Sequence, residues 1–135
     1  HEVMHLISFK RWGGLKSERN WLSEGLAVYA DDQWRGYGLH ALSKYLRDSG
    51  QLAPLEQLMA KLTSYSSMIS YPECGSFIKF LYEHYGREKL KELWQARRVD
   101  MRRVFGKSLP EIEADWLVVV ERADASGIKY SVKSP

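Results

Sequence analysis

The chain is poor in the features that would most quickly fix its surroundings. It has one cysteine, Cys74, which excludes an internal disulfide and leaves the compartment open. It has no apolar run of about 18 residues, the length a membrane-spanning helix needs, so no span is expected within it. Its excess of positive charge is small, +3 over the whole chain, and says little about an anionic partner. It also begins at His1 rather than at a methionine. What it does have is a hydrophobic fraction of 44%, with five tryptophans and eight tyrosines, enough for one domain with a real core and against disorder.

The most informative stretch is the first twenty-nine residues. His1-Glu2-Val3-Met4-His5 places two histidines four apart, so that on a helix both imidazoles lie on one face and can meet one metal ion. Glu2 is offset from His1 by about 100°, better placed to hold a water beside the metal than to ligate it. This is the HExxH arrangement. Eighteen residues separate His5 from Glu24, room for a helix, a turn and a second helix packed back on the first. Glu24 could then be a third ligand. Two neutral imidazoles and a carboxylate leave a fourth position open, the layout of a catalytic zinc rather than a structural one. The plain reading of HExxH alone is an amphipathic helix with polar residues on one face.

Together, the HExxH, the eighteen-residue gap and the run Trp21-Leu22-Ser23-Glu24-Gly25-Leu26-Ala27-Val28-Tyr29 resemble the gluzincin metallopeptidases. The zinc aminopeptidase branch of that family carries a Trp-Leu-Asn-Glu-Gly-Phe-Ala-like segment at this distance. The resemblance implies one zinc ion per chain held by His1, His5 and Glu24, with Glu2 as general base. Thermolysin-type gluzincins place an aspartate four residues after the third ligand, where this chain has Val28, so the aminopeptidase branch fits better. Enzymes of this family carry a β-sheet subdomain upstream of the motif. The expectation is therefore a piece of a longer polypeptide, whose upstream part completes the substrate cleft.

The remainder reads as helices and their punctuation. Asn20 is a candidate cap for the helix bearing Glu24, with Trp21, Leu22, Leu26, Ala27 and Tyr29 as its core contacts. Asp31 and Asp32 end that helix and read as solvated acids; a carboxylate there could also hydrogen-bond the free nitrogen of a liganding histidine. Gly36 and Gly38 precede a helix over Leu39 to Arg47 that Gly50 closes, with His40 a lone surface or satisfied histidine. Leu55 to Leu62 is a short apolar segment after Pro54, and Thr63 to Ser70 a serine-rich loop. Ser70 with Glu73 reads as a capping box, Pro72 as a first-turn proline, and Phe77, Ile78, Leu81 and Tyr85 repeat at helical spacing up to Gly86. At this stage of the chain zinc aminopeptidases have a Tyr-Xaa-Lys-Gly-Ala-Xaa-Val-like helix start whose tyrosine stabilises an oxyanion. Tyr71 matches that tyrosine, Glu73 and Cys74 replace the Lys and Gly, and Tyr65 is the reserve candidate. Cys74 itself reads as a small buried residue.

Arg87 to Arg97 is a further helix with Leu90, Leu93 and Trp94 inward. Arg97, Arg98, Arg102, Arg103 and Lys107 read as a solvated basic face, with no nucleic acid expected as a partner. Ser108-Leu109-Pro110-Glu111 is a second capping box, starting a helix to about Ala123 with Ile112, Trp116, Val119 and Val120 inward. Residues 126–135 read as a mobile tail after a helical domain over 1–125. The expected fold is all-α, six or so helices equivalent to the catalytic helical subdomain of a gluzincin. The expected activity is zinc-dependent hydrolysis of a peptide or protein substrate, with Glu2 and Tyr71 as catalytic residues. The alternatives are a helical scaffold or binding module derived from a metallopeptidase, and an anion-binding surface on the basic helices.

Overall fold

The computed structural model describes residues 20–96 and 99–133. Among them the fold is helical and no strand forms; the nearest approach to one is an isolated antiparallel bridge between Trp34 and Tyr37. The α-helices are α1 (Asn20–Asp31), α2 (Leu39–Asp48), α3 (Leu55–Ala60), α4 (Ser67–Tyr85), α5 (Arg87–Gln95), α6 (Met101–Phe105) and α7 (Leu109–Glu121), with a 3-10 turn at Leu62–Ser64 between α3 and α4. No described helix is long and apolar enough to cross a membrane. The HExxH segment, Arg97 and Arg98 lie outside the described residues.

The longest helix, α4, is central, and α1 has its most extensive contact with it. Phe77 of α4 lies between the rings of Trp21 from α1 and Trp116 from α7, at 6.2 and 5.6 Å, and all three are buried. Leu22, Leu26, Leu39, Ile78, Leu81, Leu90, Leu93, Ile112 and Val120 complete one core, as their helical spacing predicts. Val119 is only partly buried against it. One expected core residue is not there: Ala27 is exposed. Apolar residues surround it in sequence, but it falls on the side of α1 that carries Glu24 and Asp31.

The turn chemistry follows the sequence at most ends. Gly50, Gly86 and Gly106 adopt left-handed φ of 73°, 93° and 79° as helices α2, α4 and α6 finish. At Ser108 the full capping box forms, the hydroxyl accepting from the Glu111 amide while the Glu111 carboxylate accepts from the Ser108 amide at 2.9 Å. Ser108→Ala should cost about 1 kcal/mol of stability in chemical denaturation, because one amide of the first turn loses its acceptor.

The start of α4 differs from the sequence reading. Ser70 does not cap it: the helix begins at Ser67, and Ser66 is the cap, accepting from the Met68 amide at 3.2 Å. Thr63 to Ser70 is accordingly not all loop, and Pro72 stands inside the helix rather than in its first turn. Ser70 and Glu73 are both buried instead. The local pattern allowed two starts, and burial of Met68 and Ser70 favours the earlier one, since helix formation satisfies their buried amides. The segment after α7 has polar composition, yet Tyr37, Tyr45 and Ser66 donate to the carbonyls of Lys129, Tyr130 and Val132 at 2.8, 3.2 and 2.7 Å.

On the surface, Arg102 pairs with Glu111 at 3.3 Å and Lys107 with Asp115 at 2.7 Å. Part of the basic cluster is thus neutralised along α7. Such exposed pairs add little stability.

Candidate active site on helices α1 and α4

Two glycines set the distance between α1 and α4. A β-carbon on Gly25 would lie 2.5 Å from Ile78 Cγ1 and 2.8 Å from the Cys74 carbonyl oxygen; one on Gly75 would lie 2.6 Å from Val28 Cγ1. Glycine inside a helix costs about 0.5–1 kcal/mol relative to alanine, and the close approach of the two backbones is what that cost permits. Glu24 flanks this contact from α1 and is half-buried. Tyr71, also half-buried, lies one turn before Cys74 and Gly75 on α4, on the same side of the helix. The contact therefore brings together the two helices that carry Glu24 and Tyr71.

Electrostatics agree with that proximity. The Cys74 thiol is buried and its pKa is pushed well above the ordinary thiol value, first by desolvation and then by the charges of Glu73 and Glu24. A thiol held protonated in this way is a small apolar filler and a poor nucleophile. Glu24 makes no hydrogen bond or ion pair among the described residues, which leaves its carboxylate oxygens to other donors.

Around Tyr71 the surroundings are aromatic. Trp34, in the turn after α1, stands edge-on to its ring at 5.8 Å and 84°, and Arg35 lies over the Trp34 ring at 5.6 Å. The reserve candidate, Tyr65, is engaged elsewhere, donating to Gln57 at 2.6 Å. Asp32 pairs with Lys79 of α4 at 2.9 Å and Asp31 accepts from Gln33, so both acids have partners on the protein surface. His40 is satisfied on one side only: Ser76 meets its Nδ1 at 2.7 Å and accepts from the Trp116 indole at 3.1 Å, while its buried Nε2 has no partner among the described residues. Burial, then the charge of Lys79, lowers its pKa to about 4.

Glu73 was legible only as a cap. Its side chain is fully buried, with Oε1 accepting from the Ala53 amide at 2.9 Å and Oε2 without a partner. Desolvation, opposed by that hydrogen bond and reinforced by Glu113, raises its pKa to about 8. Glu113 in turn accepts from the Leu55 amide at 2.9 Å, so two carboxyl groups hold the chain on either side of Pro54.

Of the expected site residues, Glu24 and Tyr71 fall among the described residues, on helices in direct contact. His1, Glu2 and His5 lie outside them. Among the described residues no three His, Cys, Asp or Glu side chains converge as a metal site. Two residues escaped the sequence reading, Trp34 beside Tyr71 and Tyr130, which holds the Trp34 indole. The one available signal was Pro72, whose missing amide frees a carbonyl if the helix starts early. Comparison with protein-family models, curated proteins and solved structures yields no match for this chain.

Proposed function

We propose that this chain is the helical part of a zinc-dependent peptidase of the gluzincin type, hydrolysing a peptide or protein substrate. The observation that carries the reading is the α1–α4 contact at Gly25 and Gly75, which joins the helix of Glu24 to the helix of Tyr71. The sequence motif supplies the rest. Glu24 fits a metal ligand as far as the described residues extend, being a half-buried carboxylate at the edge of the core with no competing partner there. His1 and His5 would complete the ligand set. Zinc, when bound, supplies a Lewis acid that polarises a carbonyl and lowers the pKa of water.

The chain's own residues would do the remaining work. Glu2 takes a proton from the attacking water and passes it to the leaving amine. Tyr71 would donate a hydrogen bond from its phenolic hydroxyl to the carbonyl oxygen as negative charge develops there, keeping its proton. A donor oriented in advance does this without reorganisation, which is where its catalytic value lies. The edge contact with Trp34 restrains the ring accordingly.

Zinc content after gel filtration and hydrolysis of a mixed peptide pool, each with and without chelator and on the chain joined to its expected upstream part, test this reading. One zinc per chain and chelator-sensitive hydrolysis are expected; neither, at neutral pH with zinc supplied, would reject it. Glu2→Gln should keep the metal and slow hydrolysis by about a hundredfold, since only the proton acceptor is lost. A helical scaffold is the second reading. It draws on the apolar core around Trp21, Phe77 and Trp116, and a melting temperature indifferent to chelator together with no hydrolysis would favour it.

A further inference from the structure

Pro72 lies inside α4 and has no amide proton, so the carbonyl of Met68, four residues earlier, lacks its helical donor. A side chain 62 residues away replaces it: the Tyr130 hydroxyl donates to the Met68 carbonyl at 2.6 Å. The same oxygen accepts from the Trp34 indole at 2.7 Å. One phenol thus uses its single donor and an acceptor lone pair to tie the first turns of α4 to the turn after α1. Burial raises the Tyr130 pKa, the Trp34 hydrogen bond opposing it, and the donor proton stays in place.

The segment around Tyr130 is fixed on both sides. Its ring meets those of Tyr37 and Tyr45 edge-on at 6.1 and 6.5 Å, and the carbonyls of Lys129, Tyr130 and Val132 accept from Tyr37, Tyr45 and Ser66. Ser66 is also the cap of α4. The Ser66 contact bears on the helix start that carries Tyr71 and the Tyr37 contacts on the Trp34 turn beside it, while Tyr45 anchors the segment to α2.

We propose that Tyr130 is a positioning residue for Tyr71, its hydroxyl closing the gap that Pro72 opens in the helix and holding Trp34 edge-on against the Tyr71 ring. The catalytic consequence rests on the reading of Tyr71 as oxyanion donor; the positioning does not. Trp34 transmits the restraint because its indole N–H points to Tyr130 while its ring touches Tyr71.

The experiment is NMR on the 135-residue chain with labelled tyrosine and tryptophan, wild type against Tyr130→Phe, with the Tyr71 signals assigned from Tyr71→Phe. The phenylalanine keeps the ring contacts and removes only the hydroxyl. Exchange of the Trp34 indole proton should speed up about tenfold, and the Tyr71 ring signals should shift while those of Tyr82 stay put. Tyr71 signals that do not move would overturn the proposal. Should Tyr130→Phe fail to fold, Tyr37→Phe, which releases only the Lys129 carbonyl, should move Tyr71 in the same direction by less; no movement there overturns it equally. In hydrolysis, kcat of Tyr130→Phe should fall about tenfold with KM unchanged, a loss of orientation rather than of binding. A shifted Tyr71 with undiminished kcat would reject the catalytic consequence. If Tyr71→Phe itself hydrolyses normally, the fault lies in the role given to Tyr71, and the NMR result still decides the positioning.

Discussion

Glu73→Gln is expected to abolish a loss of stability that the wild-type chain undergoes as the pH rises towards 8. The Glu73 carboxyl goes from an ordinary value of 4.5 to about 8 on folding, chiefly because its surroundings exclude water. Between those values the folded chain holds a proton that the unfolded chain has released. Folding stability therefore falls with rising pH across this window and levels off above it. At about 1.4 kcal/mol per pH unit, the whole window corresponds to a loss on the order of 5 kcal/mol. His40 works in the opposite direction. Its pKa falls from 6.5 to about 4, so its neutral form adds stability as the pH rises through that range. The two slopes oppose each other below 6.5, and the Glu73 slope stands alone from 6.5 to 8.

Denaturant unfolding of wild type and Glu73→Gln at several pH values separates the two contributions. The amide preserves the acceptor for Ala53 and cannot ionise, so the variant should match wild type near pH 5 and exceed it above pH 8. Equal slopes in the two proteins between pH 6.5 and 8 would show that Glu73 ionises without penalty. Glu113, the partner of the Leu55 amide, contributes by repulsion, so Glu113→Gln should end the fall in stability at a lower pH without removing it.

Gly25→Ala should lower stability by about 2–3 kcal/mol, the balance of an overpacking cost of about 3 kcal/mol or more and a gain in helix propensity of about 1 kcal/mol. The cost is high because the new methyl would meet the backbone carbonyl of Cys74 at 2.8 Å. A carbonyl cannot rotate aside, so α1 and α4 must separate. Gly75→Ala meets a side chain instead, Val28. Truncating Val28 to alanine should therefore relieve part of the Gly75→Ala cost, a coupling that a double-mutant cycle measures. No such relief is available to Gly25→Ala from Val28. If Gly25→Ala is as stable as wild type, the helices do not approach as closely as described. For a zinc-binding chain the same variant should also weaken metal retention, because Glu24 is carried by the helix that moves.

Much of this protein was legible along the chain. The helical spacing of Leu22, Leu26, Phe77, Ile78, Leu81, Ile112 and Trp116 marks the core, Gly50 and Gly86 mark helix ends, and Ser108 with Glu111 marks a cap. These are local rules, each satisfied within a few residues. The metal ligands are a matter of motif and spacing, and the reading of His1, Glu2, His5 and Glu24 still rests there. What the sequence could not decide was which of two competing local signals would prevail. Ser66 and Ser70 both precede plausible helix starts, and the earlier prevailed because Met68 and Ser70 are buried and their amides need helical hydrogen bonds. Glu73 looked like a cap while its side chain was bound for the interior. Ala27 looked like core while its side of α1 faced outward. The tail looked free while Tyr130 was the donor that Met68, deprived by Pro72, required. Each of these depends on contacts between residues far apart in the chain, and only the packing of α1, α4 and the final segment against one another determines them.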